Sequence, residues 1–389
     1  MESRKFFTLV LAIAIAGMSQ GLTLPLLSIM IETAGYSSTL NGWNAAALYI
    51  GMFFASFFVE KPLRRFGYKK MLLFGVIVVF IASAMIPFWE HLWWWFMLRF
   101  MIGVGDSALH YTSQLWITSS SPAHLRGRSI SIYGLAYGSG FMIGPFGVNL
   151  SFINEYLPFI VVCALYFISF LFVIRLENEF PAQVEQRSRV GSYRTAFAIG
   201  WFALIPAFMY GYLEAVLNGS FPIYALRTGI GAEWVPIILF SFAAGGIITQ
   251  LPLGMLSDRI GRKKVLMGAA LIGSLAFLAV PLMDGQVSGI LILAILAGSV
   301  VGSFFSLGLA FLADTLPGRL LPTGNALAAI LFSIGSIIGP SVTGTGIEHI
   351  HPNSLFYSLS LVFIVYFLLG LRPSKSSGSY KQPLKGCEP

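Results

Sequence analysis

The chain has 389 residues, 56% of them hydrophobic and only 10% charged, with a mean hydropathy of +0.79. That composition excludes an ordinary soluble domain and fits a polytopic membrane protein. The net charge of +8 gives no support to nucleic-acid binding, because the basic residues keep to alternate loops, as membrane topology demands.

The apolar residues group into twelve stretches, each near the roughly 20 residues that a helix needs to cross a bilayer. The first, 6–31, has no small-residue cleavage site and reads as a retained helix; it carries Gln20. The second, 40–60, carries Asn44, and these two side chains are candidates for substrate contact. The third, 71–88, turns into the fourth, 93–119, through Trp89, Trp93, Trp94 and Trp95, the composition of an interfacial aromatic anchor.

In the fourth stretch Arg99, Gly103, Asp106, His110 and Gln114 fall at steps of 4, 3, 4 and 4 and so share one helical stripe. A charge at mid-membrane costs about 2.5–3.5 kcal/mol on insertion scales. Such residues either face a functional cavity or satisfy one another as a structural network, with Arg99 holding the Asp106 carboxylate. Asp106 and His110, one turn apart, also suit proton transfer, histidine being the side chain that titrates near neutrality.

The fifth stretch, 129–151, places Gly134, Gly138, Gly140 and Gly144-Pro145 so that another helix can approach closely. After the sixth, 156–174, the polar segment 175–195 reads as a linker. The seventh, 196–224, brings Glu214 with Tyr210, Tyr212 and Asn218, a second acid that would face Asp106 or else be solvated near the outer end. The eighth, 233–256, leads through a basic loop to the ninth, 264–283, followed by the tenth at 288–313. The eleventh, 322–347, repeats the small-residue pattern with Gly335, Gly339-Pro340, Gly344 and Gly346, and Pro145 and Pro340 are natural flex points. The twelfth, 354–372, is followed by a tail, 373–389, expected to be disordered.

The second half of the chain repeats the first. Gly103 with Gly298, Pro122 with Pro317, and Gly144-Pro145 with Gly339-Pro340 stand 195 residues apart. The expected organisation is therefore an all-α membrane protein of twelve transmembrane helices in two pseudo-symmetric six-helix halves. These are an N-terminal bundle at 1–174, a cytoplasmic linker at 175–195, a C-terminal bundle at 196–372 and a cytoplasmic tail at 373–389. At the repeat offset the polar stripe of the fourth stretch corresponds to Ala294, Gly298, Val301, Phe305 and Leu309. Packing alone thus does not require the polarity.

With both termini in the cytoplasm, 22 of the 24 Lys and Arg residues lie inside, Arg99 and Arg227 being the exceptions. Glu32, Glu155, Asp284 and Glu348 then read as ordinary outer-loop acids, and His349 and His351 as solvated. Cys163 lies in a helix and Cys387 in the tail, so no disulfide or metal framework is expected. Neither a phosphate-binding loop nor a nucleophile elbow is present, so the chain does not read as an enzyme, and no cofactor is implied.

Three motif groups resemble the major facilitator superfamily. The segment Gly254-Met-Leu-Ser-Asp258-Arg259-Ile-Gly261-Arg262-Lys263-Lys264 is similar to that family's cytoplasmic loop signature, Arg99 to Gly105 to its fourth-helix motif, and the glycines of 134–145 to the fifth-helix signature of antiporters. The loop pattern together with Arg126-Gly127-Arg128 is most similar to the bacterial YcaD and YfkF type. The resemblance implies a monomeric carrier in the cell membrane whose loop residues Asp258, Arg259, Gly261, Arg262 and Lys263 act as a conformational latch. At the equivalent loop of the first half Arg64 stands where the acid belongs, which puts an N-terminal latch in doubt.

Two similar halves imply a site between them opened to either side in turn. The expected activity is proton-coupled export of a small drug-like compound or metabolite, with the solute, protons and the bilayer as partners. The alternatives are proton-coupled import of a small nutrient and, outside transport, a membrane sensor or lipid-moving scaffold.

Overall fold

The computed structural model describes residues 3–122, 125–181 and 190–371. Residues 182–189 of the expected linker and the whole expected tail lie outside the described residues. Within them all regular structure is helical, as a bilayer demands of a chain that must satisfy its own backbone hydrogen bonds.

The first set of six helices comprises α1 (Ser3–Thr33), α2 (Ser38–Phe58), α3 (Tyr68–Met85), α4 (Leu92–Ser120), α5 (Arg126–Ile143) and α6 (Leu157–Val173). The second comprises α7 (Val190–Gly219), α8 (Trp234–Ile260), α9 (Arg262–Ala279), α10 (Val287–Val301, continued by Phe304–Thr315), α11 (Leu321–His349) and α12 (Ser354–Leu371). Among the described residues eight helices are long and apolar enough to cross a membrane, or nine if Ser38–Phe58 and the helix Glu60–Phe66, bent by 58°, form one span. The other three expected spans fall on α4, made polar by its stripe, on α5, which opens with Arg126 and Arg128 and gives way to a 3-10 turn at Gly144–Phe152, and on the short apolar α6.

Two of the expected spans are broken in the structure. The seventh stops at Gly219 and resumes as a short helix, Phe221–Arg227, and the tenth breaks between Val301 and Phe304. Trp95 is not an interfacial anchor: it is buried, and its indole N–H donates to the Ile86 carbonyl at 3.2 Å, whereas Trp89 and Trp93 are exposed.

Close helix packing repeats between the sets. A Cβ built on Gly103 would overlap the Leu48 carbonyl of α2, and one on Gly298 would overlap the Phe242 carbonyl of α8. Likewise Gly140 of α5 and Gly144, which opens the 3-10 segment after it, lie against α1, while Gly335 and Gly339 of α11 lie against α7. Gly134 and Gly138, expected to serve the same packing, have nothing within 4 Å of an added Cβ. Two large cores result, one built almost entirely from α1 to α6 and one from α7 to α12.

We call the end at which α1 begins the basic end, because Arg64, Arg65, Arg262, Lys263 and Lys264 cluster there. At that end the start of the linker folds back on the first six helices. Glu179 accepts hydrogen bonds from Lys5 and from the Trp116 indole N–H (2.7 Å), and its backbone carbonyl accepts from Tyr68 N (2.8 Å). Asn178 accepts from Lys69 N at 3.1 Å and donates to the Phe66 carbonyl at 2.9 Å. Gly67, at φ 85°, makes the turn that presents these groups.

The halves meet at the opposite end. There α2 packs along α11, with Gly42 against the Pro340 carbonyl and Gly344 against the Ser38 carbonyl, and Phe146 rests edge-on against Phe240 at 5.3 Å. Toward the basic end a Cβ added to Gly134 of α5 or to Gly254 of α8 would meet nothing within 4 Å, and Tyr133 is the buried residue of α5.

Candidate transport site

Asp106 lies in the middle of α4 and is fully buried. One carboxylate oxygen accepts from Gln20 Nε2 of α1 at 2.7 Å and the other from the Tyr166 hydroxyl of α6 at 3.5 Å. Gln20 in turn accepts from the Tyr137 hydroxyl of α5 at 2.7 Å. A continuous polar chain, Tyr137 to Gln20 to Asp106 to Tyr166, therefore crosses four helices of the first half. A buried carboxylate needs such donors, since leaving it unsatisfied would cost several kcal/mol.

His110, one turn further along α4, does not bond Asp106. Its Nδ1 lies 3.1 Å from the Tyr133 hydroxyl, its ring meets Tyr137 edge-on at 4.7 Å, and its buried Nε2 has no hydrogen-bond partner. Tyr137 thus touches both the histidine and the glutamine that holds Asp106. The tyrosines were not singled out in the sequence; their signal is a hydroxyl at each of three positions in otherwise apolar helices.

The expected Arg99–Asp106 pair does not form. Arg99 Nη2 donates to the Leu24 carbonyl at 3.0 Å and to Ser28 Oγ at 3.4 Å, both on α1, while Nε and Nη1 have no partner. Two turns of helix separate the two residues, and the nearer acceptors on α1 take the guanidinium. Gln114 is exposed and outside the cluster. Asn44 donates to the Leu92 carbonyl at 3.2 Å, tying α2 to the start of α4, and Asn218 donates to the backbone carbonyl of Glu214 at 2.8 Å. Both bond backbone, and neither joins the polar chain.

Glu214, on α7, is half-buried and has no ion-pair partner among the described residues. Tyr210, one turn before it, packs against Phe305 of α10 and Phe332 of α11, with ring centroids at 6.0 and 6.3 Å. No group of three or more metal-ligating side chains is found among the described residues.

The loop between α8 and α9 turns at Gly261, φ 97°. Arg262 pairs with Asp258 at 3.2 Å and with Asp314 of α10, and the Lys263 ammonium lies 5.3 Å from the Phe202 ring centre. All these partners belong to the second half, so among the described residues these contacts of Arg262 and Lys263 do not bridge the halves. Asp314 was missed in the sequence. At the repeat-equivalent positions Tyr68 stacks on Trp116 at 5.0 Å and its hydroxyl lies 3.3 Å from Ser119 Oγ.

A second polar cluster, also missed, lies at the end where the halves meet. Arg227 Nε donates to Glu32 at 2.7 Å and Nη2 to Glu348 at 3.3 Å, and Glu348 also accepts the Ser38 backbone N–H at 2.8 Å. Glu32 and Glu348 are therefore not ordinary loop acids. Arg227 follows Glu32 by 195 residues, the repeat offset, and only positions near the pseudo-two-fold axis can touch their own equivalents. Opposite charges at such a pair were the available signal.

Two helical halves of like packing, the first holding a buried polar chain, have the architecture of a membrane transporter of the two-fold type. The profile of the Major Facilitator Superfamily matches residues 9–235 and 200–386. The MFS-type transporter YfkF of Bacillus subtilis is 43% identical over 383 residues, 97% of each chain. YcaD of Salmonella enteritidis is 21% identical over 333 residues, 85% of this chain and 86% of that protein. Among solved structures the nucleoside transporter NupG superposes with a TM-score of 0.74 at 15% identity, covering 95% of this chain and 98% of that one. A bacterial homologue of the human lysosomal transporter Spinster gives 0.72 at 14%, covering 95% and 98%. The chain belongs to the Major Facilitator Superfamily and is a multi-pass secondary transporter of small-molecule solutes, not an enzyme.

Proposed function

We propose that the protein exchanges protons for an amphipathic drug-like compound or metabolite and exports it by alternating access. The observation that carries this reading is an acid in each half, Asp106 and Glu214, neither paired with a cation among the described residues. In this reading Asp106 carries the coupling proton, Gln20 and Tyr137 connect it to His110, and Glu214 attracts the solute or a second proton. Arg99 anchors α4 to α1 rather than holding the carboxylate. The basic end is cytoplasmic, the membrane is the bacterial plasma membrane, and the carrier works as a monomer. The open space beside Gly134 and Gly254 at the basic end supports an inward-facing form, and the Spinster homologue was solved in an inward-facing and unoccupied conformation.

Ethidium accumulation in inverted membrane vesicles with an acidic lumen tests the export reading. Uptake is expected, and Glu214→Gln should reduce it at least about tenfold, the loss of roughly 1.4 kcal/mol. Import is the second reading, because NupG, of the same fold, transports nucleosides. Uridine accumulating in right-side-out vesicles with an acidic exterior, with no ethidium uptake in the inverted ones, would establish import instead.

A further inference from the structure

We propose that Arg227, with Glu32, Glu348 and Ser38, is the outer gate of the transport path, opened and remade once in each cycle. This rests on the alternating-access reading above. The four residues close a ring that crosses twice between the halves. Arg227, at the end of the short helix after α7, reaches Glu32 in the last turn of α1, and Glu348, in the last turn of α11, takes the first N–H of α2. Ser38 Oγ, 3.4 Å from Glu32, completes it on the side of the first half.

Each member is placed by elementary chemistry. A helix N-terminus leaves its first N–H groups unpaired and favours negative charge, so Ser38 N is a natural seat for the Glu348 carboxylate. The broken span at Gly219–Phe221 carries the arginine out of the line of α7 and toward α1. Among the described residues Arg227 is the one ion-pair partner of both Glu32 and Glu348. The side chains of Arg227, Glu32 and Glu348 are 32%, 11% and 28% exposed, wet enough for the bonds to be exchanged for water.

Directly beneath the ring the two halves touch backbone to backbone. Gly42 and Gly344 admit the Pro340 and Ser38 carbonyls, and Ala45 faces Gly219. That seam excludes solvent while the ring holds, and neither Gly42 nor Gly344 has a side chain that would interlock the surfaces. A ring of charge-assisted hydrogen bonds over a seam of small residues is a closure that a solute's binding energy can reverse, because a few bonds bias such an equilibrium by about ten- to a hundredfold.

The test is the distance between spin labels at Ala34→Cys and His351→Cys, exposed positions on either side of the ring, in full-length protein lacking Cys163 and Cys387 and reconstituted in liposomes. A second pair, Lys61→Cys with Lys264→Cys, reports the cytoplasmic end. The background with the ring intact should give a short outer distance. Arg227→Gln and Glu32→Gln should each raise the outward-open population about tenfold, lengthening the outer and shortening the inner distance, and Arg227→Lys should restore much of the closed form. Glu32→Gln serves equally should Arg227→Gln fail to assemble. If folded Gln variants keep the background distances while the background itself shows a second population when ethidium is added, the ring is a static staple and the gate proposal is overturned. If no condition or variant yields a second outer distance, alternating access fails with it.

Discussion

Asp106 owes its role to what surrounds it. Its donors are a glutamine and a tyrosine, neutral groups that satisfy the carboxylate without neutralising it, in a half whose other buried charge, Arg99, is turned to α1. Gln20 is therefore the residue on which the cluster turns, since it alone bonds both Asp106 and Tyr137. Gln20→Leu should cost about 1–3 kcal/mol by leaving a buried acceptor short of a donor, read as a lower thermal midpoint in detergent. It should also slow pH-driven transport more than energy-independent exchange. Equal loss of both, at unchanged stability, would argue that Gln20 contacts the solute rather than the proton site. The stripe on α4 was legible because polar residues at steps of 3 and 4 stand out in an apolar stretch, and the repeat marked them as additions. Its partners were not legible: which acceptor takes Arg99, and which donors find Asp106, depends on how α1 and α6 pack around α4.

At the scale of elements the two halves solve the same problem differently at their basic ends. The second half uses charge, Arg262 bound by Asp258 and Asp314; the first uses a ring stack, Tyr68 on Trp116, and borrows an acid, Glu179, from the linker. The substitution of Arg64 for the loop acid was visible in the sequence, but its replacement from 115 residues further along was not, because a linker has no periodicity to place it. Burial raises the Glu179 carboxyl, but the Lys5 and Trp116 hydrogen bonds and the Lys5 charge outweigh it, leaving it below the ordinary glutamate value. A lowered folded-state pKa contributes stability above the unfolded value, about 4.3, that is lost as pH falls through the folded value. With the side chain 44% exposed, screening limits the effect to about 1 kcal/mol or less. Wild type should therefore melt above Glu179→Gln at pH 7, and the difference should narrow as pH falls below about 4.3; a gap that does not narrow in acid would mean that the ion pair is not its source. In the loop between α8 and α9, Asp258→Asn should change turnover while leaving solute affinity within about tenfold, one charged pair's worth. A well-folded Asp258→Asn protein that no longer binds solute would place this loop in the binding path and end its reading as a latch.

For the molecule as a whole, hydropathy, the basic loops and the repeat carried the architecture, while the helix breaks at Gly219 and Val301 and the bend after Phe58 were not read, although Asn218-Gly219-Ser220, Gly302-Ser303 and Glu60-Lys61-Pro62 mark them, because one or two turn residues inside a long hydrophobic stretch do not lower its mean hydropathy enough to end it. Orientation is a separate claim, resting on 22 of 24 basic residues. Single cysteines at Lys264 and His351 test it in intact cells: an impermeant thiol reagent should label position 351 and spare position 264, and the reverse pattern would invert the map. Helix α1 ties the outer cluster to the proposed coupling site, since it carries both Glu32 and Gln20. Movement of that helix as the halves exchange their contacts would change the surroundings of Asp106 at the moment the outer end opens.

The central claim, that Asp106 exchanges a proton against solute, is tested most directly by proton movement in proteoliposomes when a gradient of a solute found by the vesicle assay is imposed without any pH gradient. Wild-type protein should drive protons opposite to the solute, and Asp106→Asn should still exchange labelled solute while moving no protons. Solute crossing through the wild type with no proton movement, or proton movement undiminished in a folded Asp106→Asn protein, would contradict the account.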